Sequence, residues 1–518
     1  MFESSMVHQL ARQILVCAVA FAGMACSDDK PSSTKPRTNV ILVVVDTLRE
    51  DYANPATKKA DMPNLVAFAK EAVVFPFAFT HAPMTLPAHA ALFSARTPMH
   101  TGVTNNGQAV SQDLPLLSEW LQKQGYVSQA AVSLATLWPL GRNQGVDRGF
   151  EHFDRGQGSI SNATDTNLDL GSILDGLIDR APFFVFAHYA EPHEPYESHG
   201  LVQCNADIRW DDKLLETVTT SEWTLRRHEL TLVPGMNRLE VHSADDFKVR
   251  SLSFTSRGKR MPIQFDVGEL LSQGKEFSVS VENKTPAPVL ASMELWLHDV
   301  PTQAEMPARY RREAEAADTA FGNLVAMLKK RKLYDSSLIV FTSDHGEALG
   351  EHGVVGHVVN LHDEMLHVPL MIKLPKGHEG RHFLERSQRD LVRLIDVVPT
   401  ILDACGLPPL PGQEGISLMG DGERTLLAQT FRPEAPRTLY ALRDQRTKLV
   451  FDVAADTFRM YDLASDPGEM HDIFAKAGAQ KSAWQKQLRA LGATTPSLHA
   501  GEVPMDEQMQ AQMKSLGY

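Results

Sequence analysis

The sequence predicts an α/β protein: a doubly wound, mostly parallel sheet, an inserted antiparallel β-sandwich module, and a small C-terminal α+β subdomain. Three observations predict it. Continuous apolar, β-branched or aromatic runs at Val40–Val45, Phe183–Ala187 and Leu338–Phe341 suit strands buried on both faces of a parallel sheet. Helical patterns alternate with these runs, as βαβ units require. Between about Leu201 and Val300 the hydrophobic period changes to two, the mark of strands with one wet face.

The elements follow in chain order. Ile14 to Ala25 is a twelve-residue apolar stretch preceded by Arg12. It is too short for a membrane span and suits the apolar part of an export signal. It ends Ala22-Gly-Met-Ala-Cys26, and small residues before a Cys resemble the lipobox of bacterial lipoproteins. The expectation is an export signal over residues 1–26 with lipid on Cys26, ordinary cleavage near Ala25 being the alternative. The location is then periplasmic or cell-envelope. Residues 27–37 read as a polar tether, and residues 38–200 as the first part of the catalytic domain.

Within that part, Leu114–Gln124 reads as a helix stopped by Gly125. In the inserted module, residues 201–302, apolar pairs alternate at Leu230/Leu232, Leu239/Val241, Phe277/Val279/Val281 and Leu295/Leu297. Turn residues at Pro234-Gly235 and Asn283-Lys-Thr separate them, so the formal glycosylation sequon at Asn283 is read as a turn. Residues 303–431 return to the α/β pattern, with helices at Glu313–Leu328 and Leu391–Ala404 and a strand at His367–Leu374. The C-terminal subdomain, residues 432–518, has strands at Thr438–Leu442 and Lys448–Val453, a polar turn from Tyr461 to Glu469, and terminal helices.

Composition narrows the function. The chain has 518 residues, 43% of them hydrophobic, which is ample for a large core. Its net charge is −13 with no Lys/Arg-rich run, which argues against bulk electrostatic binding to nucleic acid. Of four Cys, Cys17 and Cys26 belong to the signal. Cys204 and Cys405 read as two separate thiols rather than a bridge, with Cys405 a packed core thiol.

The chemistry sits at strand ends. Val40–Val45 ends in Asp46, Phe183–Ala187 runs into His188 to His193, and Leu338–Phe341 runs into Asp344-His345. Ligands of open α/β sheets bind beyond the carboxyl ends of the strands, so these residues are brought to one edge. Asp46, Asp344 and His345 offer two hard oxygens and a nitrogen, and the hydroxyl of Thr85 completes four metal ligands. Such a mixed set suits one divalent Zn or Mn ion; Ca usually takes more oxygens. Pro87 to Ala95 is helix-like, which places Thr85 just before a helix N-terminus where amides favour an anionic group. A metal on its oxygen would make Thr85 a nucleophile; a plain helix cap is the competing reading.

From Asn39 onward the chain resembles the sulfatase family of the alkaline-phosphatase superfamily. The matching segments are Asn39–Asp51, Pro83–His89, Thr97-Pro-Met-His-Thr-Gly-Val, Asp147 to Asp154, Phe183–Tyr196, Thr342–Gly353, Asp396-Val-Val-Pro-Thr, Tyr461 to Glu469 and the terminal Leu516-Gly-Tyr. They occur in family order, and only the insertion falls outside. The resemblance implies an alkaline-phosphatase-like fold and ester hydrolysis. It implies that Asn106 contacts substrate oxygens, with Asn105 the competing register. It also implies that His193 lies on the substrate side and that His357 takes a position often held by Lys. Either His is also a candidate ligand for a second metal. His188, His352 and His362 are secondary candidates.

The chain departs from the family's Cys-or-Ser-x-Pro-x-Arg motif by reading Thr85-Leu-Pro87-Ala-His89. Oxidation of a secondary alcohol gives a ketone, so Thr85 cannot become the family's formylglycine aldehyde. His89 takes the place of the substrate-side Arg. An unmodified Thr and an Asp-His pair resemble related phosphoesterases and phosphoethanolamine transferases. The expected function is therefore an exported, metal-dependent hydrolase that cleaves an anionic ester through Thr85, phosphate favoured over sulfate, the substrate being open to glycan or lipid linkage. An envelope transferase and a non-catalytic glycan-binding member are the alternatives.

Overall fold

The computed structural model describes residues 37–137, 144–155, 161–194, 196, 204–220, 224–267, 273–299, 303–432, 437–493 and 501–502. The export signal, all of the tether but Arg37, and the terminal Leu516-Gly-Tyr lie outside the described residues.

A seven-stranded sheet organises the α/β part. Its spatial order is Val73–Val74, Leu370–Lys373, Ser337–Ser343, Asn39–Val45, Phe183–Tyr189, Val127–Val132 and His152–Asp154. The five strands from Ser337–Ser343 to His152–Asp154 run parallel; Leu370–Lys373 and Val73–Val74 pair antiparallel at one edge. The strand Asn39–Val45 lies in the middle, buried at every residue. Val40, Leu42 and Val44 enter one apolar core, and Ile41, Val43 and Val45 enter another on the opposite face. Side chains alternate across a strand, so an unbroken apolar run is what a sheet covered on both faces demands. The first core takes in the helices Thr85–Ser94 and Val397–Ala404; the second takes in Ala163–Leu177 and Met306–Lys330.

Several expected elements shift. The helix read at Glu313–Leu328 extends over Met306–Lys330, and the helix read from Leu391 begins only at Val397. Asp396 explains the second difference: its carboxylate accepts from the Arg393 amide at 3.0 Å and holds a separate 3₁₀ turn ahead of the helix. Cys405 is the half-buried C-cap of that helix, beside the core rather than within it, and is a free thiol.

Residues 204–299 form an eight-stranded antiparallel sheet with its own core. The expected sandwich is one hydrogen-bonded sheet rather than two. The long strand Gly235–Ser256 pairs with Cys204–Trp210 as far as Ser243, with Gln273–Asn283 as far as Lys248 across an irregularity between His242 and Phe247, and with Val289–Asp299 from Phe247 onward. Such an irregularity lets one long strand change partners along its length. Ala206 pairs with Ser243 and Asp299 with Phe247, so the first and last strands of the module end beside the same stretch. Asn283 makes the anticipated turn by accepting from the Thr285 amide at 3.0 Å.

The C-terminal sheet begins earlier than expected. Leu426–Arg432, assigned above to the catalytic part, pairs antiparallel with Arg437–Arg443, which is followed by Thr447–Asp452 and Thr457–Asp462. This sheet is tied to the α/β part by buried charge. The Lys448 ammonium, fully buried, donates to Asp363 at 2.6 Å, Glu469 at 2.9 Å and the Leu361 carbonyl at 2.9 Å. Arg443 donates to both Asp363 oxygens at 2.7 Å.

Lys448→Met is expected to cost about 3 kcal/mol or more of stability, since it strands the buried Glu469 without its ammonium and leaves Asp363 with Arg443 alone. Urea unfolding measures this; an unchanged midpoint would show the cluster to be dispensable. Burial pushes the Asp363 carboxyl up, but the Arg443 and Lys448 charges outweigh it and hold the group well below the usual range. Its stabilisation is therefore complete above the unfolded value of about 4 and is lost as pH falls further, toward the folded value.

Candidate active site

Parallel registry brings the polar strand ends together. Val45 pairs with Ser343 on one side and Tyr189 on the other, so Asp46 and Asp344 emerge side by side. Asp46, Asp344 and His345 are fully buried, and one ligand atom from each lies within 4.8 Å of the others. Among the described residues, both Asp46 oxygens, Asp344 Oδ2 and His345 Nε2 lack hydrogen-bond partners. Asp344 Oδ1 is occupied, accepting the His345 amide at 2.8 Å and the Thr47 amide at 3.2 Å, which aims Oδ2 at the group. His345 Nδ1 lies 3.0 Å from the Gly346 carbonyl, so the neutral ring carries its proton there and leaves Nε2 a bare donor. Burial pushes His345 down to about 3. Burial and then the charge of Asp344 push Asp46 well up. Two buried carboxylates and an unprotonated imidazole nitrogen, all unpartnered, fit a divalent cation.

Thr85 is fully buried and is the first residue of the helix Thr85–Ser94, not the residue before it; the N-cap is Met84. The expected helix start at Pro87 was two residues late. Pro87 is tolerated inside the first turn because amides there have no intrahelical acceptor. Asn106, rather than Asn105, serves this helix end: its Oδ1 accepts the Leu86 amide at 2.8 Å while its Nδ2 has no partner. Asn105 instead accepts the Asn106 amide at 2.9 Å. His89 sits one turn into the helix with Nδ1 2.8 Å from the Thr85 carbonyl and 3.6 Å from Asp344 Oδ2. It therefore links the Thr85 backbone to the carboxylate group. Burial pushes His89 down to about 4, so it is no surrogate for a fixed Arg charge.

His193 and His357 stand on the other side. Their rings are 5.2 Å apart, and the His357 ring is 4.7 Å from that of His345. His188 also reaches the group, with Nε2 3.5 Å from Asp46 Oδ2. His352 and His362 stack on each other and face Glu364 and Glu469 at the C-terminal junction. Sequence reasoning passed over Glu347 and Tyr196 although both lie in segments it quoted. Glu347 is fully buried and bonds His357 Nδ1 at 2.9 Å.

The family model for sulfatases matches residues 38–407, and the model for the C-terminal region of N-sulphoglucosamine sulphohydrolase matches residues 350–491. The chain is 23% identical to choline-sulfatase of Rhizobium meliloti, over 81% of this chain and 79% of that one. It is 23% identical to N-acetylglucosamine-6-O-sulfatase of Bacteroides thetaiotaomicron, over 96% and 92% of the two chains. The phosphonate monoester hydrolase of Agrobacterium radiobacter superposes with a TM-score of 0.58 at 19% identity, covering 88% of this chain and 96% of that one. At that identity the superposition speaks for the fold.

Proposed function

The chain belongs to the sulfatase family of the alkaline-phosphatase superfamily, whose members here are ester hydrolases, and from that premise we propose that it cleaves a phosphate ester through an unmodified Thr85. The observation that carries the reading is the unpartnered, buried Asp46/Asp344/His345 group beside the helix that Thr85 begins. A divalent cation bound there, with Thr85 as fourth ligand, would lower the cost of the Thr85 alkoxide and of charge on the transferred oxygens.

The chain's own residues do the rest. The Thr85 hydroxyl gives up its proton to solvent water as its oxygen attacks phosphorus in line, the bond to the leaving oxygen breaks, and a phosphoryl ester forms on Thr85. Asn106 Nδ2, left free by the helix, is available to a non-bridging oxygen. His193 or His357 hands a proton to the leaving oxygen. Water then attacks phosphorus, releasing the phosphate product and restoring the Thr85 hydroxyl. Export, with lipid on Cys26, is part of the same proposal and rests on the segment Ile14 to Cys26.

Phosphoester preference rests on Thr85, which cannot supply an aldehyde hydrate. Protein reconstituted with Zn²⁺ or Mn²⁺ is to be assayed against 4-nitrophenyl sulfate, 4-nitrophenyl phosphate, bis(4-nitrophenyl) phosphate and a phenylphosphonate monoester. The expected result is a kcat/KM for at least one phosphorus ester more than about tenfold above that for the sulfate. The reverse order would overturn the preference and leave the hydrolase intact.

A further inference from the structure

The loop that carries Asn106 is tied together by its own side chains. Gln108 Oε1 accepts the Thr104 amide at 2.9 Å and the Asn105 amide at 3.0 Å. Asn105 Oδ1 accepts the Asn106 amide at 2.9 Å, and Asn106 Oδ1 accepts the Leu86 amide at 2.8 Å. Three successive amides, those of Thr104, Asn105 and Asn106, therefore end on side-chain oxygens, and the last link reaches the helix that Thr85 begins. Gly107 has a φ of 79°, a region glycine enters without strain, at the tip of this turn. The backbone of Gln108 is held from the far end of the sequence. Gln108–Ala109 pairs antiparallel with Gly501–Glu502, Glu502 opposite Gln108 and Gly501 opposite Ala109.

Asn106 depends on that support. It is buried, yet it lies on a loop with no helix or strand of its own. Its side-chain amide has two ends, an acceptor and a donor. Reversed, it would set its NH₂ against the Leu86 amide, donor to donor. The Leu86 bond therefore decides which end faces the site, and it does so only while loop and helix end stay in register. With Oδ1 spent on Leu86, Nδ2 is left to face substrate, and among the described residues it has no partner. Gln108 suits the supporting task because one amide oxygen with two lone pairs takes two backbone donors at once.

We propose that Gln108, secured by the strand Gly501–Glu502, is a positioning residue of this site, holding the Asn106 loop so that Asn106 Nδ2 faces the transferred group. The part played by Asn106 rests on the hydrolase reading. The connection from Gly501–Glu502 through Gln108, Asn105 and Asn106 to Leu86 does not. Two kinds of variant separate its links. Gln108→Ala removes the acceptor of the Thr104 and Asn105 amides and keeps the strand, whereas Gln108→Glu keeps an acceptor oxygen. Gly501→Pro with Glu502→Pro removes both amide donors of the far strand, since proline has none, and leaves Gln108 in place.

The experiment uses the full chain loaded with Zn²⁺. Amide hydrogen exchange, read by mass spectrometry, follows the segments around Leu86 and around Thr104 to Asn106, with Ser337–Ser343 as the reference for global opening. The first two are expected to exchange about tenfold faster or more in Gln108→Ala and in the double-proline variant. They should keep the unmutated rate in Gln108→Glu, and the reference should not change in any variant. In parallel, Gln108→Ala and Asn106→Ala should each lower kcat/KM for a phosphorus ester about tenfold or more. Together they should lower it no further than Asn106→Ala alone, because Gln108 acts through Asn106. Unchanged exchange around Leu86 in Gln108→Ala overturns the positioning, and so does a reference segment that speeds up equally. A loop loosened by Gln108→Ala but not by the prolines overturns the part of the strand. Faster exchange with losses that add across the two sites overturns the link to Asn106. Faster exchange in a protein that turns over no ester upholds the positioning and sinks the hydrolase reading instead.

Discussion

Thr85→Ala loses roughly four to six orders of magnitude in kcat, because no hydroxyl remains to form the covalent ester. The variant keeps its fold: a fully buried Thr replaced by the best helix former at the first helical position loses little packing. It also keeps part of its metal affinity, since Asp46, Asp344 and His345 are untouched. Thr85→Ser restores measurable turnover, as the attacking oxygen returns with one methyl fewer. Acid quenching during turnover, followed by peptide mass spectrometry, is expected to show a phosphoryl adduct on Thr85 in the unmutated chain. Turnover by Thr85→Ala within tenfold of the unmutated rate would reduce Thr85 to a packing residue.

Asp46→Ala produces an effect whose sign depends on metal. Without metal, Asp46 is a buried carboxylate with no hydrogen bond on either oxygen, pushed toward its neutral form by burial and by Asp344. Such a group destabilises, so in chelator the Asp46→Ala variant should be at least as stable as the unmutated chain. With metal the order inverts. The unmutated chain gains about 2.7 kcal/mol at a free Zn²⁺ concentration of 100 times Kd, and the variant gains little. Asp344→Ala likewise loses metal, but it also strands the Thr47 and His345 amides, so its stability in chelator should fall. Thermal unfolding with and without Zn²⁺, beside metal analysis, measures both. Full metal occupancy in either variant would refute the site.

What could be read from the chain alone follows the physics of burial. Strands covered on both faces write themselves as unbroken runs, which is why Val40–Val45 and Leu338–Phe341 are placed to within a residue or two. The module announces itself by period, because one face of each strand meets water. Asp46, Asp344 and His345 were legible as a set because parallel registry brings strand ends together whatever lies between them.

Other features had no local signal. Nothing near Glu347 states that its side chain turns inward to meet His357 and Tyr196, 151 residues away along the chain in the second case. The one available hint was Gly346. A side chain there would stand 2.2 Å from the Glu364 carbonyl, so the glycine marks a close crossing of two loops. The strand Leu426–Arg432 was left in the preceding part because its partner Arg437–Arg443 is declared only by tertiary pairing. His352 and His362, chosen for proximity in sequence, belong to the charged junction, a distinction that only tertiary packing draws.

That crossing sets the order in which the site can come into being during synthesis. The Gly346 amide donates to the Met365 carbonyl at 2.9 Å, and the helical turn Asp363–Leu366 is held by Arg443, Lys448 and Glu469. A ribosome delivers Asp46 and Thr85 early, His345 two-thirds of the way along, and these three anchors only near the end. The emerging chain therefore carries Asp46 and Thr85 for most of its translation before the turn that Gly346 crosses can be clamped. A product cut short before Arg443 would lack the clamp on that turn, and with it the support of the loop that carries His345.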